Sequence, residues 1–121
     1  MINTIHIKKH ILDLKNISHP SEIYSYFKTN NLRQYAYSFL HLGTVLKHGE
    51  SASHGRDRDF GERVRRQAEN IDGWSRDYRS TSGKDMQEIC EDFLQEQSMH
   101  VLKDDVTIVI YDFSDHVVDG W

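Results

Sequence analysis

Apolar and polar positions along the chain switch between the two-residue period of strands and the 3.6-residue period of helices. Ile2, Ile5, Ile7 and Ile11 lie among Lys and His residues, a spacing that fits a strand or a short arm. Pro20-Ser21-Glu22 opens a short helix, because Pro lacks an N–H that the first turn would leave unbonded. Ile23, Tyr24 and Phe27 share a face of that helix, and Asn30-Asn31 ends it. Residues 35–42 and 45–49 are rich in aromatic and β-favouring side chains and flank Gly43-Thr44, which predicts a β-hairpin. Tyr35, Tyr37 and Phe39 fall on one face of its first strand, and Ala36, Ser38 and Leu40 on the other.

Residues 50–59 show no apolar period and read as a loop. Asp59 and Glu62 have capping-box spacing, and Phe60, Val64, Ala68 and Ile71 then form one helical stripe. Arg63, Arg65, Arg66 and Gln67 occupy the opposite side, and Gly73 sits where a helix-terminating glycine belongs. After a polar connection over 73–83, Ser82 with Asp85 gives a second cap signal. Met86, Ile89, Cys90, Phe93 and Leu94 follow at the spacing of an amphipathic helix. Residues 106–113 are apolar at both alternate sets of positions, which predicts a strand buried on both faces. The predicted fold is α+β (α/β in the broad sense): a small antiparallel sheet of about three strands flanked by helices. Residues 1–34 are expected to form a strand and helix extension packed on the core, and residues 35–121 the main domain.

Composition narrows the classes. Thirteen aromatics in 121 residues can bury enough surface to offset chain entropy, which argues against intrinsic disorder. The longest apolar run, over 106–111, is far short of the ~20 residues of a membrane helix. The chain opens with no basic and apolar secretory pattern, and the single Cys90 excludes an internal disulfide and a Cys-rich zinc site, so the expected compartment is the cytoplasm. The eight His residues show no His-x-x-x-His spacing on a predicted helix, which argues against zinc. Net charge is −4, yet residues 1–84 carry 14 Lys/Arg against 9 Asp/Glu, while residues 85–121 carry one Lys against 10 acidic residues. Segregation of this kind can steer a polyanion to one face; it also arises from solvated helix faces of opposite sign.

The side chains with most chemical scope are Tyr37, Lys47, Ser51 and Arg63, with Gly49 between two of them. Such a set can bind an anionic group and move a proton. A strand Tyr can take a proton from water if a nearby cation such as Lys47 lowers its pKa from ~10. Arg63 on the adjacent helix offers a two-pronged donor to phosphate oxygens. His48 and His54 are alternative general bases, with ordinary pKa near ~6.5.

Tyr35-Ala36-Tyr37, then Lys47-His48-Gly49-Glu50-Ser51, then Gly61-Glu62-Arg63-Val64-Arg65-Arg66-Gln67 together resemble the core of the GIY-YIG nuclease superfamily. In that family a strand carries a Gly-Ile-Tyr triplet, its hairpin partner carries Tyr-Ile-Gly followed by a short polar segment, and a helix supplies an Arg. Tyr37, Gly49, Ser51 and Arg63 match these positions, and Gln67 falls where the family often has His. The first triplet here lacks its Gly; Lys47 replaces the second Tyr, as in some restriction-enzyme members, and His48 replaces the Ile. Residues 61–74 also look like uncharacterised phage proteins placed in the superfamily.

The resemblance implies a metal-dependent DNA endonuclease, a phage-type member acting in the host cytoplasm. Tyr37, Lys47, Arg63 and His48 would form the catalytic set, and Arg56, Arg58, Arg66 and Ser51 would contact DNA. Mg²⁺ or Mn²⁺ would need a carboxylate, and Glu88 and Asp85 are the candidates. The family's metal-binding Glu often follows the third strand; if 106–113 is that strand, the chain ends at Trp121 before such a helix. The alternative is a non-catalytic module of the same fold that binds nucleic acid or protein. Oligomeric state is open, a homodimer included.

Overall fold

The computed structural model describes residues 7–51 and 60–113. Their elements run β1 (Lys8–Asp13), α1 (Ser21–Thr29), β2 (Tyr35–His41), β3 (Thr44–Glu50), α2 (Glu62–Glu69), α3 (Asp85–Gln97) and β4 (Val106–Asp112). Every strand pairing is antiparallel, and the sheet order is β1-β4-β2-β3. The architecture is therefore α+β, with four strands where the periodicity predicts about three. The fourth is β1, which pairs along the edge of β4 from Lys8↔Asp112 to Asp13↔Thr107.

The three helices pack on one face of the sheet. Leu12, Tyr35, Tyr37, Phe39, Ile108 and Ile110 point to that face and meet Ile23 and Phe27 of α1, Val64 and Ala68 of α2 and Met86 of α3. Burying each of the larger apolar side chains stabilises the fold by ~1.5–3 kcal/mol. The two-residue period of β2 reads correctly: Tyr35, Tyr37 and Phe39 are buried, and Ala36, Ser38 and Leu40 are half-buried on the far side. β4 departs from expectation. Val106, Ile108 and Ile110 are buried, whereas Val109 is half-buried and Tyr111 is exposed, so this strand is covered on one face. Lys103 fastens the N-terminal segment to the core: its buried Nζ donates to the carbonyls of Leu14 and Ile17, 2.7 Å each.

The hairpin turns at Leu42-Gly43, one residue earlier than Gly43-Thr44. Both central residues have positive φ, 49° and 87°, as a two-residue turn matched to strand twist requires. Between Phe39 and Leu40 the β3 partner jumps from Lys47 to Val45, which leaves Leu46 as the extra residue of a bulge. The bulge puts Lys47 on the helix-covered face with Phe39, and Val45 on the opposite face with Leu40.

Helix ends differ from the sequence signals. α2 begins at Glu62 after Gly61, and Glu62 bonds Arg65; Asp59, the other half of the expected capping box, lies outside the described residues. α2 ends at Glu69, short of Gly73; Asn70 caps it, and its side-chain amide donates to the carbonyls of Arg66, Ser82 and Gly83. α3 has no side-chain cap, so Ser82 and Asp85 do not form one. It also sits shallower than its spacing suggests: Met86 is buried, Ile89, Cys90 and Phe93 are half-buried, and Leu94 is exposed. Among the described residues no helix is long and apolar enough to cross a membrane.

Candidate functional site

The candidate residues lie on β2, β3, α2 and α3, and three of them, Lys47, Gln67 and Asp85, meet where β3, α2 and α3 come together. Tyr37 stands opposite Gly49 in the hairpin, and a Cβ added to Gly49 would lie 2.3 Å from Tyr37 Cζ and Oη. The Tyr37 ring therefore lies directly on the Gly49 backbone, a seat that only a residue without a side chain provides. Its ring is 4% exposed and meets the Phe39 ring edge-to-face at 5.8 Å. Lys47 lies two residues before Gly49 on the same face of β3.

From that face the Lys47 ammonium reaches α3 and pairs with Asp85. The other Asp85 oxygen accepts from Gln67 Nε2 of α2 at 2.9 Å. Lys47, Asp85 and Gln67 thus join three elements in one polar chain. Burial pushes the Asp85 carboxyl up, but hydrogen bonds from Lys47 and Gln67 and the Lys47 charge outweigh it and hold the group below its ordinary value. Gln67 is 7% exposed, and among the described residues its Oε1 has no hydrogen-bond partner, which makes it a buried acceptor beside the ion pair.

Two contacts fix α3 against α2 and so place Asp85. Gln87 donates to Asn70 Oδ1 at 2.6 Å. At Gly83, with φ 75°, an added Cβ would lie 2.9 Å from the Arg66 carbonyl carbon, so the chain entering α3 lies tight on the end of α2.

The remaining predicted residues distribute as follows. Arg63 is exposed on α2, one turn before Gln67 and on the same side of the helix. Arg66 is exposed and lies 3.7 Å from Glu62. Glu88 is exposed on α3, one turn after Asp85, and makes no hydrogen bond or ion pair with the described residues. His48 does not join the group: strand alternation turns it to the opposite face of the sheet, where its ring lies 2.6 Å from the Ser38 hydroxyl. Ser51 is buried, and its hydroxyl accepts from the Tyr35 N–H at 3.0 Å, which ties off the open end of the hairpin. Arg56, Arg58 and His54 lie outside the described residues.

Asp85, with both oxygens bonded to Lys47 and Gln67, does not fit a metal ligand in this arrangement. Glu88, whose oxygens bond no described residue, is the remaining candidate, since Mg²⁺ is commonly held by one or two protein carboxylates with phosphate oxygens and water. Among the described residues no three His, Cys, Asp or Glu side chains form a metal-holding group.

A cleft of about 320 Å³ lies elsewhere, lined by Glu69, Asp72, Trp74, Tyr78 and Arg79 among others, and includes none of Lys47, Gln67 or Asp85. Asp72 within it is held below the ordinary carboxylate range by a hydrogen bond from His100, against burial and with Arg79 adding to the effect. Its charged groups are thus largely paired with one another. Comparison with known protein families, curated proteins and solved structures finds no match.

Proposed function

We propose that the chain is an endonuclease of the GIY-YIG type that hydrolyses DNA phosphodiester bonds with Mg²⁺ or Mn²⁺. What supports this most is the seating of Tyr37 on Gly49, with Lys47 on the same face of the hairpin, the face against which α2, the helix that carries Arg63, packs Val64 and Ala68. Tyr37 and Gly49 are positions at which the sequence resembles the superfamily, and Lys47, which replaces its second Tyr, shares their face of the hairpin.

In this proposal Arg63 and Lys47 receive the scissile phosphate. A phosphate oxygen takes the place of the Asp85 carboxylate on the Lys47 ammonium, so the pair with Asp85 holds that ammonium in position before substrate arrives. Gln67, through the Oε1 that no described residue bonds, orients a donor such as the attacking water. Tyr37, once ionised, would accept the water's proton through a hydrogen-bonded relay, since its ring is buried, and the leaving oxygen departs from phosphorus as the water oxygen bonds to it. A bound Mg²⁺, held by Glu88, would supply charge neutralisation at the phosphate.

A second reading, a non-catalytic nucleic-acid- or protein-binding module of the same fold, draws on the Lys47–Asp85 ion pair, which neutralises the central cation.

Incubation with supercoiled plasmid and Mg²⁺ tests the first reading. Wild type is expected to nick the DNA, and Arg63→Ala to lose ~10²–10³-fold in rate. No nicking by wild type, or equal nicking by both proteins, overturns it. Salt-dependent DNA binding without cleavage moves the conclusion to the binding module.

A further inference from the structure

The face of the sheet turned away from the helices is apolar at its centre and charged at its rim. Three rows of side chains cross it, read from the pairing register. The first is Lys9, Tyr111, Ala36 and Glu50; the middle is Ile11, Val109, Ser38 and His48; the third is Asp13, Thr107, Leu40 and Val45. Ile11 is 56% exposed, Val45 45% and Tyr111 40%. Ile7, one position before the first row on the same side of β1, is exposed as well. Contiguous apolar surface of this kind on a folded domain marks an interaction site.

The rows are self-complementary about their middle. Lys9 and Asp13 lie two residues either side of Ile11, Tyr111 and Thr107 either side of Val109, and Ala36 and Leu40 either side of Ser38, while on the edge strand β3 Glu50 and Val45 flank His48, so the match of charge to charge is confined to β1. A two-fold axis that runs across the strands through the middle row therefore stacks Ile11 on Ile11 and Val109 on Val109 of a second copy. The same operation puts each Lys9 over the other copy's Asp13. An isologous contact requires this property, that residue i meets residue j and j meets i. It pairs opposite charges at the β1 rim and apolar groups at the centre.

We infer that two copies of this chain associate face to face through the side of the sheet that the described helices leave uncovered, as an aligned sandwich in which strands of the two sheets run within about 30° of one another. Four strands at ~4.8 Å spacing and about six residues at ~3.4 Å give a face of roughly 400 Å² in projection. With the relief of the side chains, a pair of such faces falls at the small end of stable interfaces, which begin near ~1,200 Å² in total. The dimer is therefore expected to dissociate on dilution.

Sedimentation equilibrium of the full chain tests this. The expected mass at high concentration is twice the 14.2 kDa of one chain. Ile11→Lys sets like charges on the axis and is expected to weaken association at least about tenfold. Lys9→Asp is expected to weaken it too, and Lys9→Asp with Asp13→Lys to restore it, since the swap recreates the opposite pair. Circular dichroism of each variant confirms folding, which these rim and surface positions leave intact. A wild type that stays at single-chain mass at every concentration overturns the inference, and so does a dimer that Ile11→Lys leaves unchanged. Failure of the double variant to restore association overturns the stated axis.

Discussion

Gly49→Ala is the substitution that probes the Tyr37 seat most sharply. The new methyl would lie 2.3 Å from Tyr37 Cζ and Oη and 2.8 Å from Cε1, where ordinary carbon contacts are ~3.5–4.0 Å. The ring must therefore shift by more than about 1 Å. It has little room, being 4% exposed with Tyr35 at 6.2 Å and Phe39 at 5.8 Å between ring centres. Overpacking of a core costs ~1–3 kcal/mol. Set against this, Ala is better than Gly in a strand interior by ~0.5–1 kcal/mol, and Gly49 is not among the positive-φ residues, so Ala adds no backbone strain. The net expectation is a loss of about 1–2 kcal/mol, or roughly 3–10 °C in Tm. Urea unfolding followed by circular dichroism measures it. The same substitution in a Tyr37→Leu background, where the clashing atoms are gone, is expected to be neutral or stabilising by ~0.5 kcal/mol. An equal loss in both backgrounds, or a gain in the wild-type background, would refute the idea that the ring rests on Gly49.

Four further outcomes follow from the same structure. Leu42→Asn, at φ 49° in the hairpin turn, is expected to stabilise by ~0.5–1 kcal/mol, because Asn tolerates the left-handed conformation better than Leu; thermal melts read it. Lys103→Met is expected to cost ~2–3 kcal/mol by stranding the carbonyls of Leu14 and Ile17, measured by urea unfolding. Asp85 has a folded pKa below its unfolded value of ~3.9, so what its ionisation contributes is present above that value and lost as pH falls through the depressed one; the stability gap between wild type and Asp85→Asn is expected to shrink on that acidic descent. Burial, with the Asp72 charge adding and Arg79 opposing, pushes the Cys90 thiol up to about 11, so alkylation of the native protein at mildly alkaline pH is expected to be slow and to accelerate on denaturation.

The sheet face that builds the core was legible in the two-residue alternation of Tyr35, Tyr37 and Phe39, because β2 is a central strand and its apolar set has only one helix layer to meet. β4 was legible as a strand but not as one-sided. Val109 and Tyr111 are apolar like Ile108 and Ile110, and nothing local distinguishes a covered face from an open one. The bulge at Leu46 hid the arrangement of the second strand, since it shifts the alternation by one residue between Val45 and Lys47. His48 is a different case: it adjoins Lys47 in a strand, and alternation alone places the two on opposite faces. The ion pair of Lys47 with Asp85 spans 38 positions and depends on how α3 docks against α2, through Asn70 and Gly83, which local spacing does not encode. Gln67 was visible as the residue four places after Arg63, but its bond to Asp85 required the same docking.

Chemical-shift mapping on addition of a short DNA duplex, with no metal present, tests most directly whether Lys47, Gln67, Asp85 and Arg63 form one phosphate-directed site. The largest amide shifts are expected at these four residues, together with loss of the Lys47–Asp85 ion pair in the bound state. Shifts concentrated on Ile11, Val109 and His48 across the sheet, or no shifts at any DNA concentration, would contradict it.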